Sequence, residues 1–266
     1  MLGLGNSIAH SSYVSGATPK LLDTSGDAAA AYSLRLLNNS YGGNAINVRR
    51  DSDNAEAEIG FVAGVLDTTA LSDHCGSASG FVDTWFDQSG NGNDAVQEDA
   101  TNQSQIVVSG TINTDSDGNV FIDMMPSQLP LGVSISQPFH IVTAWKAVDD
   151  RRFLNGSGFD YNIQSDYMRI SAGSPTLTGT IAVDNTKKNC TSAAVGSGSG
   201  VLRMNGSVDV SDSVGTNAIP SNAIVFSRLN YASWGPEQSY EFIIFDSVQA
   251  SIADIEANVM TYYNIS

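Results

Sequence analysis

From Phe81 onward, apolar and polar residues alternate with a period of two, in short runs broken by Gly, Asn, Ser or Pro. Residues 104–108, 120–123, 139–146, 161–163, 167–170, 178–183, 191–195, 200–204, 223–227 and 240–246 each read as a strand. Successive side chains of an extended chain point to opposite faces, so a sheet with one buried face needs this alternation. The breaks recur at roughly the 8–12 residue spacing of a sandwich. Asn205-Gly206 supplies the two residue types that accept positive φ, and predicts a type I′ hairpin.

The first eighty residues are mixed. Asp27 precedes residues 28–37, which carry an alanine run with Ala31, Leu34 and Leu37 on one side. That pattern predicts a helix with a carboxylate N-cap, stopped by Asn38-Asn39 and Gly42-Gly43. Residues 45–50 alternate as a strand and turn at 51–54; residues 59–62 follow, then a short helix around 67–75. A capping-box-like Ser251–Asp254 opens a last helix, with Ile252, Ile255 and Val259 as its apolar stripe and Tyr262-Tyr263 at its end.

No linker composition divides these pieces. The expected fold class is all-β: a two-sheet antiparallel jelly-roll sandwich over 21–266, with an N-terminal and a C-terminal helix on its periphery. Residues 1–20 form an arm. Its apolar residues Leu2, Leu4, Ile8, Tyr13 and Val14 are too sparse to make a core. The arm reads either as a frayed terminus or as a segment that orders on a neighbouring subunit.

Twelve basic residues against 28 acidic ones give a net charge of −16. Phosphate binding needs a basic face, so nucleic acid is not an expected partner. A membrane is not expected either, since no run of 18 apolar residues occurs. Residues 1–10 have neither a basic region nor an apolar one, which predicts assembly in a reducing cytoplasm rather than export. Cys75 and Cys190 fit that setting as buried or half-buried thiols. Like-charged copies repel at low salt, so the homo-oligomer expected here needs a specific apolar contact, which the arm would supply.

The densest chemistry lies at 87–94. Asp87, Ser89, Asn91, Asn93 and Asp94 offer side-chain oxygens, while Gly90 and Gly92 let the backbone curl. Three readings stand: a turn that satisfies its own amides, a calcium site built from those five residues, or a sugar contact through Asp87, Asn91 and Asn93. No other cofactor is expected. Tyr231 and Trp234, in a Gly/Pro-bounded loop, are the candidates for stacking on a sugar ring, while Trp85 and Trp145 sit in strand runs and read as core. His10, His74 and His140 have no metal-ligand spacing, and His140 reads as filling a sheet face. Arg49-Arg50 must point to opposite faces, one toward an internal carboxylate and one toward solvent.

Residues 80–97, Gly-Phe-Val-Asp-Thr-Trp-Phe-Asp-Gln-Ser-Gly-Asn-Gly-Asn-Asp-Ala-Val-Gln, resemble the Tyr-Asp-Gln-Ser-Gly-x-Gly-Asn signature of the concanavalin A-like domain of α-L-arabinofuranosidase B. Residues 29–60 are similar to that family's helix, strand and turn; residues 201–206 and 241–249 resemble a looser block shared by laminin-G-like and concanavalin-like sandwiches. The resemblance implies a concanavalin A-like sandwich. It also shows what is missing. A retaining glycosidase needs two carboxyl groups about 5 Å apart. In that family one lies in a central strand of the second half and the other in a loop before the last strands. Here residues 160–171 lack a Met-Glu-Ala-like context, residues 228–237 lack Gly-Gly-Asp, and the adjacent-cysteine disulfide is absent. Asp166 and Glu237 are the only substitutes, and neither matches a motif.

The expected function is therefore non-enzymatic. It is a structural, decoration or tail-associated virion protein of a phage, assembled in the host cytoplasm and exposed on the virion surface. The arm would dock on other virion proteins or sister subunits, with adhesion to a cell-surface glycan as an added role. The alternative is a secreted glycan-active protein, either a carbohydrate-binding module or an arabinofuranosidase-like hydrolase.

Overall fold

A computed structural model describes residues 18–124, 129–146, 152–227 and 238–266. In chain order its elements begin with α1 (Leu21–Ser25), β1 (Ala30–Ser33), β2 (Ile46–Arg50), β3 (Glu56–Ile59), β4 (Phe61–Val62), β5 (Val65–Leu66) and α2 (Thr68–Cys75). Then come β6 (Gly80–Trp85), β7 (Ala95–Val96), β8 (Ser104–Val108), β9 (Thr111–Ile112), β10 (Ile122–Asp123), β11 (Leu129–Pro130) and β12 (Phe139–Lys146). The second half holds β13 (Arg152–Gly156), β14 (Phe159–Gln164), β15 (Tyr167–Ser171), β16 (Thr176–Ala182), β17 (Asn189–Gly196), β18 (Ser199–Met204) and β19 (Ser207–Ser213). It closes with β20 (Ile224–Ser227), β21 (Gln238–Phe245) and α3 (Ile252–Tyr263).

The strands make the expected all-β antiparallel sandwich. One large sheet runs β19-β18-β17-β12-β21-β10-β8-β6-β2-β3, and a six-stranded sheet runs β11-β20-β13-β14-β15-β16. The main core lies between the two. Trp145 stacks on Phe153 with ring centroids 4.8 Å apart, and Phe153 stacks on Tyr161 at 5.4 Å. Thr191 Oγ1 accepts hydrogen bonds from both Trp145 Nε1 and Tyr161 Oη, which bolts the small sheet to the large one. Trp85 is also fully buried in this core.

Three layers result. Along β21, Phe242 and Ile244 enter the inter-sheet core, while Ile243 and Phe245 pack with Ile255, Val259 and Tyr263 of α3 on the other side. β12 and β21 therefore read as nearly continuous apolar runs, because both of their faces are covered. The polar groups under α3 are paired. Arg35 grips Glu241 through Nε at 2.7 Å and Nη2 at 2.9 Å, and Glu256 takes Arg203 and Ser192. Burial alone would lower Arg35's pKa, but Glu241 raises it further and keeps the guanidinium charged.

The expected helix at 28–37 is a strand. β1 pairs antiparallel with β21 from Ala30 opposite Ile244 to Ser33 opposite Glu241. Ala30, Tyr32 and Leu34 enter the inter-sheet core and Ala31 the α3 layer, so both faces are buried and the alanine run acts as thin filling. Tertiary burial overrides alanine's helix propensity here. The helix near this end is instead the short α1. α2 and α3 fall where the sequence places them, as does the hairpin, with Asn205 at φ 46° and Gly206 at φ 79° joining β18 to β19.

Cys75 and Cys190 are buried free thiols. The Arg49-Arg50 expectation needs correction. Arg50 pairs with the surface carboxylate of Asp53; Arg49 holds the amides of Gln103 and Asn54, lies over Phe81, and acts on the buried Asp83 carboxyl only through its charge, so among the described residues neither forms an ion pair with an internal carboxylate. β13, β19 and the small strand β11 were not legible as runs in the sequence.

Candidate functional site

The Asp87 loop points inward, onto β1. Asp87 Oδ1 accepts the Ala31 N–H at 2.8 Å and the Ser89 N–H at 2.9 Å; Oδ2 accepts the Ser89 hydroxyl at 2.6 Å and the Asn93 N–H at 3.0 Å. A carboxylate offers about four lone-pair directions, and here the chain's own donors take up all of them. Asp94 Oδ1 caps the Asp87 N–H, while the Asn91 and Asn93 amides donate to the carbonyls of Ala28 and Ala29. Next to them Gln88 is fully buried, donating to the carbonyls of Ser33 and Arg35 and accepting from Leu37.

These side chains replace a missing neighbour strand along β1. Of the three readings of the loop, the geometry supports the turn that satisfies its own amides. Asp87 accepts four of the chain's own donors, and the Asn91 and Asn93 amide nitrogens face the carbonyls of Ala28 and Ala29. Among the described residues no group of three or more His, Cys, Asp and Glu is placed to hold a metal ion. Burial, with Asp87 and Asp94 nearby, pushes the Tyr32 phenol well above its ordinary pKa, so it stays a donor, to the Asn93 carbonyl. His140 fills a face, as expected: it is buried, and its Nδ1 accepts the Gln249 N–H at 3.2 Å.

Tyr231, Trp234 and Glu237 lie outside the described residues, as do the arm residues Leu2, Leu4, Ile8, Tyr13 and Val14. Asp166 sits at φ 68° in the exposed turn between β14 and β15, off the sheet face.

The outer face of the six-stranded sheet carries the polar constellation that sequence reading missed. Phe159, Tyr161 and Ile163 of β14 and Met168 and Ile170 of β15 fill the core. Alternation therefore turns Asp160, Asn162 and Gln164, and Tyr167, Arg169 and Ser171, outward. The register brings them into rows. Asn155 lies opposite Asp160, Asp160 opposite Ser171, and Ser171 opposite Thr176. One step along, Asn162 lies opposite Arg169 and Arg169 opposite Thr178; at the end of the face, Gln164 lies opposite Tyr167.

Asn162 is the unusual member. It is only 1% exposed, its Nδ2 donates to Asp160 Oδ2 at 2.9 Å, and its Oδ1 makes no hydrogen bond to the described residues. A buried acceptor without a donor costs about 1–3 kcal/mol, so such a group calls for an explanation. Tyr167 stands on the same face and is 37% exposed, an aromatic ring next to amides and hydroxyls. The signal available in the sequence was the alternation Asp160-x-Asn162-x-Gln164 and Tyr167-x-Arg169-x-Ser171. It shows a polar face on each strand but not which residues meet across the pair.

A chemistry of this kind suits a polyhydroxylated ligand. The family model "Alpha-L-arabinofuranosidase B, catalytic" matches residues 13–134. A GH54 α-L-arabinofuranosidase soaked with a cyclic sulfate inhibitor is similar in structure, with a TM-score of 0.65 at 14% identity, over 89% of this chain and 63% of that one. An arabinofuranosidase complexed with arabinofuranosyl-α-1,2-xylobiose matches at a TM-score of 0.65 and 15% identity, with the same coverage. The chain thus spans 63% of the length of these solved relatives. No curated protein sequence matches it.

These matches correct the functional expectation. They place the sandwich beside a glycoside-hydrolase catalytic domain and lend nothing to a virion structural role.

Proposed function

We propose that this chain is a carbohydrate-binding domain of the arabinofuranosidase type, holding its sugar on the outer face of the six-stranded sheet. The observation that carries the reading is the buried Asn162 Oδ1 without a donor, set in a polar face with Tyr167 at its edge. A sugar hydroxyl supplies the missing donor, and the ring's C–H face packs on Tyr167. The match of the first half to an arabinofuranosidase catalytic model supports an arabinose-bearing glycan as the ligand.

Hydrolysis is the second reading, favoured by the catalytic nature of the matched model. Binding without hydrolysis fits the face better. Asp160 is the one carboxylate among the residues of this sheet's six strands, and its neighbours in register and along the strand are Asn155, Ser171 and Asn162. Retaining hydrolysis requires two carboxyl groups about 5 Å apart.

Calorimetric titration with arabinoxylan oligosaccharides tests the proposal, with aryl arabinofuranosides assayed in parallel. Binding that is weakened in both Asn162→Ala and Tyr167→Ala, without turnover, supports it. Turnover abolished by Asp160→Asn would replace it with the hydrolase reading, and absence of any glycan binding would overturn it.

A further inference from the structure

Arg169 stands at the centre of the polar face and, like Arg49, is held by amide oxygen rather than by a carboxylate. Arg35, Arg50, Lys187, Lys188 and Arg203 each sit on a carboxylate. In a protein with 28 acidic residues that outcome is the default for a cation. Arg169 instead directs Nη1 to the neutral amide oxygen of Gln164, and its Nε and Nη2 make no hydrogen bond to the described residues. Gln164 lies one strand position beyond Asn162 on the outward side, so the amide holds the guanidinium extended over the sheet without neutralising it.

Asn162 lies directly opposite Arg169, and directly opposed side chains on neighbouring strands have Cβ atoms about 4.5–5.5 Å apart. The shielded acceptor of Asn162 and the guanidinium fork therefore stand side by side across the two strands, with Tyr167 two residues along the same strand. The hydroxyl of Thr178, exposed and opposite Arg169 on β16, closes the row. Asp160 sits on the far side of Asn162, and Asp166 lies in the exposed turn before Tyr167, off the face.

We infer that the glycan bound on this face carries a carboxylate, as in a uronic acid residue, and that Arg169 is the specificity-determining side chain that reads it. A planar carboxylate accepts two parallel N–H bonds from a guanidinium fork, a geometry that a lysine ammonium cannot reproduce. The same sugar's hydroxyl donates to Asn162 Oδ1. In a chain of net charge −16 long-range attraction works against an anionic ligand, so its capture needs a local cation of this kind. This inference rests on the binding role proposed above for the same face.

The test titrates the intact chain with two matched xylan oligosaccharides, one carrying arabinose alone and one carrying arabinose and glucuronic acid. The uronate-bearing glycan should bind about tenfold or more tightly, an advantage that shrinks with added salt. Arg169→Gln should remove the advantage, and Arg169→Lys should restore only part of it. Equal affinity for the two glycans in the wild type, or an advantage that survives Arg169→Gln, overturns the inference and leaves the binding role standing. Failure to bind either glycan overturns both. Circular dichroism of the variants matched to wild type confirms that the fold is kept.

Discussion

The carboxylate of Asp87 accepts the backbone N–H of Ala31, 56 residues earlier in the chain, at 2.8 Å. With the neighbouring Gln88 N–H on the Ala31 carbonyl, it completes the free edge of β1, whose other edge is paired to β21. The loop most tempting as a ligand site is thus the clasp that holds the first strand in the sandwich.

Removing that clasp should cost stability and leave cation dependence untouched. Asp87→Ala strands four donors at once, and a loss of about 1–3 kcal/mol is expected in urea unfolding, since buried donors left unpaired carry a desolvation penalty. Chelator should shift the melting temperature of neither wild type nor variant. A chelator-dependent drop in the wild type alone would show that the loop binds metal after all.

His140 should make the protein acid-sensitive well above the carboxylate range. Burial, helped by the Arg203 charge, lowers its pKa from 6.5 to about 4. The folded state therefore keeps a neutral imidazole while the unfolded chain takes up a proton below pH 6.5. Its contribution is present in full above that pH and is lost as pH falls from 6.5 toward 4, by up to roughly 3 kcal/mol at about 1.4 kcal/mol per unit. Unfolding free energies between pH 7 and 5.5 should fall in the wild type and stay flatter in His140→Phe.

Lys188 should be worth more than a surface ion pair. Its side chain is 8% exposed and its Nζ lies 2.8 Å from Asp115 Oδ2 and 2.7 Å from Asp117 Oδ2. Burial alone would raise Asp115's pKa, yet Lys188, the Asn119 groups and the Tyr240 hydroxyl outweigh it and hold the carboxyl below its usual range. Lys188→Met leaves Asp115 buried without its cation, and a destabilisation of roughly 3 kcal/mol is expected in urea unfolding. An effect below about 0.5 kcal/mol would mean that the pair is as weak as an exposed one.

On the proposed ligand face, both Asn162→Ala and Asn162→Asp should weaken sugar binding, the first by removing the acceptor and the second by placing a carboxylate opposite Arg169. Asn162→Ala should cost about 1 kcal/mol of stability, since the hydrogen bond that Nδ2 donates to Asp160 is lost, while Asn162→Asp should cost more because it sets a second buried carboxylate against Asp160. Paired titrations and melts of the two variants separate a binding residue from a structural one.

The sequence by itself determined the strand-rich class, the Asn205-Gly206 hairpin, the helix ending at Tyr263 and the burial of Trp85 and Trp145. Each of these follows from local periodicity, turn chemistry or apolar runs, which act within a few residues. Tertiary structure decided the rest. Residues 28–37 carry a helix pattern, yet β1 forms because β21, more than 200 residues away, offers a strand edge and two buried layers. The oxygens of 87–94 suit a cation in one dimension, but folding presents them with the amides and carbonyls of β1 first. The face of Asn162, Tyr167 and Arg169 needed the register of β14 against β15. A period of two tells which residues share a face of one strand, and only the pairing of strands tells which residues meet across it.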